Sequence, residues 1–393
     1  MLNYRSRFTW LPIAFFLALI LAACSNSSDS SSDDGSQADT RSWQVVGSVG
    51  FSSGTIDYTS LAIDSSGTPY VAYQDADNSS KATVMYYDSS SSSWKTLGSA
   101  EFSAGIATYI SLAFDSSDIP YVAYRDYGNS GKATVMYYNS SSSSWNTLGS
   151  AGFSADIASY ISLAFDSAGT PYVAYTDNSN GNMVTVMYYD SSSSSWEALG
   201  SAGFSSGGAV YTSLAIGASD TPYVAYGDYD NSSKATVMYY DSSSSSWKIL
   251  GSAGFSAAAA TYINLAFDSS GTPYVAYHDW GNSYKATVMY YDGSSSSWKT
   301  LGSAGFIAGY LDTSLAIDAS GTPYVACSDY DNSYKATVMY YDSSSSSWKT
   351  LGSAGFSEGE AYCTRLAIDA SGTPYVAYSD GGSSSKATVM RYK

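Results

Sequence analysis

The 393-residue sequence predicts an all-β fold: a seven-bladed β-propeller with four-stranded blades, closed by the N-terminal strand completing the last blade. Three observations predict it. Tryptophan recurs as Trp43, Trp94, Trp145, Trp196, Trp247, Trp298 and Trp348, a period of about 50 residues that suits propeller blades. Pro-Tyr recurs seven times, from Pro69-Tyr70 to Pro374-Tyr375, and Val-Met seven times, from Val84-Met85 to Val389-Met390. Each unit holds four short β-branched or aromatic runs bounded by Ser, Gly, Asp and Asn clusters, the pattern of strands and tight turns.

The chain opens on an address. Arg5 and Arg7 precede an apolar stretch over 11–21, interrupted only by Pro12. That length suits the core of a signal peptide and is short for a membrane span. Leu21-Ala22-Ala23-Cys24 follows, which resembles the lipobox of bacterial lipoproteins. The resemblance implies a lipoprotein signal peptide over 1–23, cleavage before Cys24, and acylation of that cysteine, palmitate included. Two or three acyl chains would hold the protein on a membrane. An ordinary secretory signal with an incidental cysteine is the other reading. The next residue is Ser25, not Asp. By resemblance to Gram-negative lipoprotein sorting this implies the bacterial outer membrane, on its periplasmic or its cell-surface side. Residues 24–42 then comprise the lipidated Cys and a Ser/Asp-rich flexible tether, and residues 43–393 the seven-repeat propeller.

The folded part begins with a lone strand over 43–46. The first full unit predicts strands over 60–64, 69–75, 81–88 and 94–97. Asp64-Ser65-Ser66-Gly67 suits a type I turn. No 3.6-residue periodicity appears, so helices should be scarce. Tyr70-Val71-Ala72-Tyr73 and Val84-Met85-Tyr86-Tyr87 are apolar or aromatic on both alternating faces. Such sheets are covered on both sides, as stacked blades require. After its last Trp unit the chain adds three strands and stops at Lys393. The lone first strand would supply the missing fourth and remove an open edge. A β-solenoid is the alternative; it needs capping ends, whereas these ends are complementary.

The run Ala62-Ile63-Asp64-Ser65-Ser66-Gly67-Thr68-Pro69-Tyr70-Val71-Ala72 resembles bacterial propeller repeats of the NHL and kelch type. It covers about a quarter of each repeat. The Gly-Gly pair of kelch units, the Trp-Asp end of WD40 units and a strict sialidase Asp-box are missing. The resemblance implies fold and no function, because propellers host many activities.

Composition narrows the partners. Lys+Arg is 17 against Asp+Glu 34, a net charge of −17, which argues against nucleic acid. The single histidine, His278, removes multi-His metal sites.

The repeats differ from one another mainly in the B–C and D–A loops, which share one face of a propeller. Equivalent B–C positions carry Gln74, Arg125, Thr176, Gly227, His278, Ser328 and Ser379. Two residues later stand Ala76, Tyr127, Asn178, Tyr229, Trp280, Tyr330 and Gly381. Exposed Tyr and Trp beside Asn and Asp suit sugar rings or protein partners. Arg125, Tyr127, Tyr229, His278, Trp280, Tyr330 and Arg365 are the candidate ligand-binding residues; neutral drift of unconstrained loops is the competing reading. Arg365 replaces Ser or Asn near the axis and is either an anion holder in the channel or surface variation. His278 is either a general base or a loop variant.

Seven aspartates, Asp75 through Asp380, end strand B and are expected to cap their own turns. Asp75/Asp77/Ser79, Asp228/Asp230/Ser232 and Asp329/Asp331/Ser333 look like the start of a calcium loop but lack its later Gly and Glu. No cofactor is expected, and calcium is the one metal suggested. Cys327 and Cys363 replace tyrosines in neighbouring blades, which suggests a disulfide if those tyrosines meet across the boundary; two independent substitutions are the alternative. The leading functional reading is a membrane-anchored binding protein outside the cytoplasm with a glycan or envelope-protein partner, more a binder than an enzyme. The alternatives are a glycan-active enzyme and a structural envelope lipoprotein.

Overall fold

The computed structural model describes residues 40–393; the signal peptide, Cys24 and nearly all of the tether lie outside the described residues. Residues 41–393 form seven four-stranded antiparallel sheets. In blade one, strand A is Ile56–Ile63, B is Pro69–Asp75, C is Lys81–Asp88 and D is Ser93–Thr96. Five further blades repeat this order. Blade seven takes Ala361–Ile368, Pro374–Asp380 and Lys386–Tyr392 from the C-terminal end, and its fourth strand is Trp43–Val45. Trp43 pairs with Tyr392 and Val45 with Met390. The two chain ends thus close the ring, as the repeat order requires.

Strands B and C have the expected bounds. Strand A starts earlier than its sequence pattern indicated, because it contains a bulge. Asp57 pairs with Gln74 and Ser60 with Ala72, so Tyr58 and Thr59 together oppose Tyr73. Helical structure among the described residues is limited to single 3-10 turns. The expected A–B turn is present: Gly67 N–H donates to the Asp64 carbonyl at 3.0 Å.

Because each sheet is apolar on both faces, the core lies between blades, in seven clusters each shared by two neighbours. The cluster between blades one and two joins Ala72, Ala82 and Val84 to Leu112, Val122 and Trp145. The cluster between blades seven and one joins Val389 and Ala377 to Val71 and Trp94. The recurring Trp has a double role there. Trp94 stacks on Phe51 at 4.1 Å while its Nε1–H donates to the Val46 carbonyl at 2.8 Å. Trp43 does the same at the closure, stacking on Phe356 at 4.1 Å and donating to the Leu351 carbonyl at 2.9 Å.

A second ring surrounds the axis. The hydroxyl of Ser60 accepts the Leu112 amide at 3.0 Å, and Ser111, Ser162, Ser213 and Ser314 repeat the contact onto the next blade. These bonds fix the innermost strands side by side around the axis, where Ser60, Ser111, Ser162 and Ser213 also line a channel of about 250 Å³.

Candidate functional site

Five of the seven strand-ending aspartates, Asp126, Asp177, Asp279, Asp329 and Asp380, cap their own turns as their position suggested; Asp75 and Asp228 make no cap bond, and each keeps one buried carboxylate oxygen without a partner. Asp126 is fully buried and accepts from the Gly128 amide at 2.9 Å, the Asn129 amide at 2.7 Å and the Thr134 hydroxyl at 3.1 Å. Asp75, Asp228 and Asp329, the first residues of the three calcium-like triplets, are likewise buried and bonded to Asn78, Asn231 and Asn332.

The uniform face is also built. Asp88 accepts the Ser90 amide and the Ser90 and Ser91 hydroxyls, and Ser91 bonds Ser93 at 2.8 Å. Asp190, Asp241, Asp292 and Asp342 repeat the arrangement. The uniformity of the Ser loops therefore has a structural cause. The case for the opposite face rests on what that face exposes, not on the contrast between the two.

That face exposes aromatic rings. Tyr127, Tyr229, Trp280 and Tyr330 each start the 3-10 turn after strand B and are about half exposed, from 48% to 58%. Tyr284 joins them and lies 5.2 Å from Trp280. The sequence held a signal for it that went unused: Tyr284 and Tyr334 stand where other blades have Ser, Gly or Asn. Arg125 places its guanidinium 4.7 Å from the Tyr127 ring, a cation–π contact.

Arg125 and His278 are not loop residues. Strand B runs on to the aspartate, so this position belongs to the sheet and is covered by the next blade. His278 is only 2% exposed, and burial pushes its pKa down to about 4. The imidazole is therefore neutral at pH 7.

Inside the aromatic loops lies an axial mouth that sequence reasoning missed. The strand-A bulges place Tyr58, Tyr109, Tyr160, Tyr211, Tyr262 and Cys363 at φ between 48° and 55°. Left-handed backbone at a bulky residue costs about 1–3 kcal/mol, and here it re-aims each ring, as bulges do. Consecutive rings sit 4.9–5.4 Å apart. They line a recess of about 350 Å³ together with Asp312, Cys363 and Arg365. Burial raises the Asp312 carboxyl above its ordinary range despite the opposing pull of Arg365. Arg365 lies near the axis as expected, but its guanidinium already faces the chain's own carboxylate, Asp312, at 3.4 Å.

The suggested Cys327–Cys363 bridge is not formed; both are free thiols. The direction of packing explains this. The strand-B tyrosine meets the bulge tyrosine of the preceding blade: Tyr124 packs with Tyr58, Tyr175 with Tyr109 and Tyr277 with Tyr211. Cys327 therefore faces blade five, within the core it shares with Ala276 and Val288. Cys363 faces blade one, where its thiol donates to the Asp57 carboxylate at 3.1 Å.

A cleft of about 640 Å³ opens between blades five and six. Its walls bring together two of the candidates on one side, His278 and Trp280, with Tyr330 on the other. Arg125, Tyr127 and Tyr229 belong to other blades and do not line it.

No protein family matches the chain by sequence, and no curated protein does. Its shape has counterparts. It is similar to an ulvan lyase, from a polysaccharide lyase family described as new and solved with a glucuronate–sulfated rhamnose unit, with a TM-score of 0.55 and 12% identity over 88% of this chain and 95% of that one. A second ulvan lyase structure gives 0.54, again with 12% identity over 88% of this chain and 95% of that one. A mutant Aleuria aurantia lectin bound to a fucose–GlcNAc disaccharide gives 0.49, with 17% identity over 76% of this chain and 95% of the lectin. At these identities the likeness is one of fold. The chain is a seven-bladed β-propeller.

Proposed function

We propose that this propeller is a lipid-anchored, extracytoplasmic carbohydrate-binding protein of the bacterial outer membrane, and that it reads its glycan through the aromatic loop face. The observation that carries the reading is the set of half-exposed Tyr and Trp rings at equivalent positions of four blades. Flat aromatic faces with a polar rim take the C–H face of a sugar while neighbouring groups take its hydroxyls. The buried aspartates speak for binding over hydrolysis, since each is engaged in a turn and not poised in a pair. The anchor and the location rest on the sequence around Cys24 alone.

The test is a glycan array, with a pull-down from envelope extract in parallel, on the full chain and on a variant with Tyr127, Tyr229, Trp280 and Tyr330 changed to Ala. Glycan binding should weaken more than about tenfold while the melting curve stays in place. Equal binding by the variant overturns the reading, as does capture of an envelope protein with no glycan bound. Cys24→Ala should move the protein from the membrane to the soluble fraction.

A further inference from the structure

The cleft between blades five and six holds a buried acceptor without a partner. At the strand-B position before the aspartate, three other blades occupy their polar atoms internally, and Arg125 in blade two leaves unpaired only its Nε, a donor. Gln74 donates to the Ala107 carbonyl at 2.8 Å, Ser328 to the Tyr334 carbonyl at 3.1 Å, and Ser379 to the Ser385 carbonyl at 3.0 Å. The Asp312 backbone is the polar neighbour of the His278 ring. Nε2 of that ring is buried and has no partner. A neutral imidazole with one nitrogen donating presents the other as an acceptor.

The residue opposite bears on why that acceptor lacks a partner. Where strand A pairs with the end of strand B, the other blades carry Ile56 or an alanine: Ala107, Ala158, Ala209, Ala260 and Ala361. Blade six carries Gly309. A Cβ there would come 2.8 Å from His278 Nε2. The missing methyl leaves the nitrogen beside a cleft whose other walls include Tyr262, Trp280, Tyr284 and Tyr330.

The chemistry of the walls restricts the guest. An unpaired acceptor calls for an O–H or N–H, and Lys285 and Asp331 in the same walls carry opposite charges, so the cleft as a whole favours neither sign. The aromatic rings call for a flat apolar face, and the volume lies within the range of small-molecule pockets. We infer that this cleft seats one uncharged sugar residue, its C–H face against Trp280 and Tyr330 and one hydroxyl donating to Nε2 of His278. This rests on the glycan reading of the aromatic face and assigns one sugar seat within it.

His278 is the single histidine, so its ring nitrogens are isolated reporters in ¹⁵N NMR of the full-length protein. The probes are methyl glycosides of glucose, galactose, mannose, fucose and N-acetylglucosamine, with phenol as a non-sugar control. A glycoside should move the Nε2 resonance upfield, as an accepted hydrogen bond does. Trp280→Ala should weaken that glycoside more than about tenfold. Gly309→Ala, which restores the residue of five other blades, should weaken it comparably while the protein still melts in one cooperative transition. An array-positive glycan that binds with Nε2 unmoved overturns this seat and leaves the aromatic-face reading standing. Phenol moving Nε2 where no glycoside does overturns the sugar assignment. Absence of any glycan binding overturns both.

Discussion

Changing Trp43 to Ala tests the closure of the ring. The side chain stacks on Phe356 at 4.1 Å and 12°, lies 5.5 Å from Tyr392, and donates to the Leu351 carbonyl at 2.9 Å. Truncating a buried Trp costs about 3–5 kcal/mol. Trp43 is half-buried, which places it at the low end, about 3 kcal/mol. With an unfolding entropy of about 2.1 cal/mol/K per residue over about 350 ordered residues, the midpoint should fall by about 4 °C. Trp196 is the internal control: it donates to the Leu148 carbonyl at 2.9 Å and stacks on Phe153 at 4.4 Å. Its loss should cost at least as much, but the two variants should fray in different places. Behind Trp43 stands only a three-residue strand, held by pairs such as Val46 N–H to the Val389 carbonyl at 2.9 Å. Hydrogen exchange should therefore accelerate over 386–393 in Trp43→Ala and stay slow there in Trp196→Ala. A chain starting at Thr55 should lose more than Trp43→Ala. It also forfeits the bond from Phe51 N–H to the Ala387 carbonyl at 2.9 Å and that from Ala387 N–H to the Ser52 hydroxyl at 2.9 Å. Calorimetry is the assay; an unchanged midpoint in the shortened chain would refute closure by the N-terminal strand.

Two further outcomes follow from buried titratable groups. His278 has a folded pKa of about 4 against 6.5 for the free side chain, so the unfolded chain takes up a proton in this window that the folded chain refuses. Stability should fall by about 3 kcal/mol as pH drops from about 6.5 to about 4. His278→Gln, with the residue of blade one, should lose that slope in urea titrations at the two pH values; identical slopes would refute the burial argument. Cys327 is fully buried and its thiol is pushed well up by that burial, so alkylation should need unfolding. Cys363 is partly exposed, but burial, with Asp312 and Asp57 nearby, also raises its thiol, so native labelling should be slow. A Cys327–Cys363 linked peptide by mass spectrometry under non-reducing conditions would contradict the structure.

Strands B and C were legible to the residue because their apolar runs end in fixed punctuation: Pro at one end of B, Asp at the other, Lys and Asp around C. The strand-A bulge was not legible. Tyr58 and Thr59 are ordinary strand formers, and nothing local marks them as two residues facing one. The whole tyrosine mouth was missed for that reason. His278 and Arg125 lie inside the strand whose bounds the sequence already marks; what it does not mark is that the last residue before the aspartate is packed by the next blade and so belongs to the sheet rather than to the loop face. The disulfide was an inference about which neighbour a strand faces, and strand B faces backward along the ring.

The sequence alone determined what repeats and complementary ends can encode: seven units, four strands each, sheets covered on both sides, and a first strand that completes the last blade. These follow from short-range patterning and from counting. Only the tertiary structure decided which side chains reach the axis, which carboxylates are consumed in turns, and that Nε2 of His278 stands against Gly309 without a partner, in the wall of a cleft shared with Trp280 and Tyr330. Those relations join residues of different blades. They are set by the direction in which one sheet packs on the next and by the convergence of the inner strands, which no local pattern records.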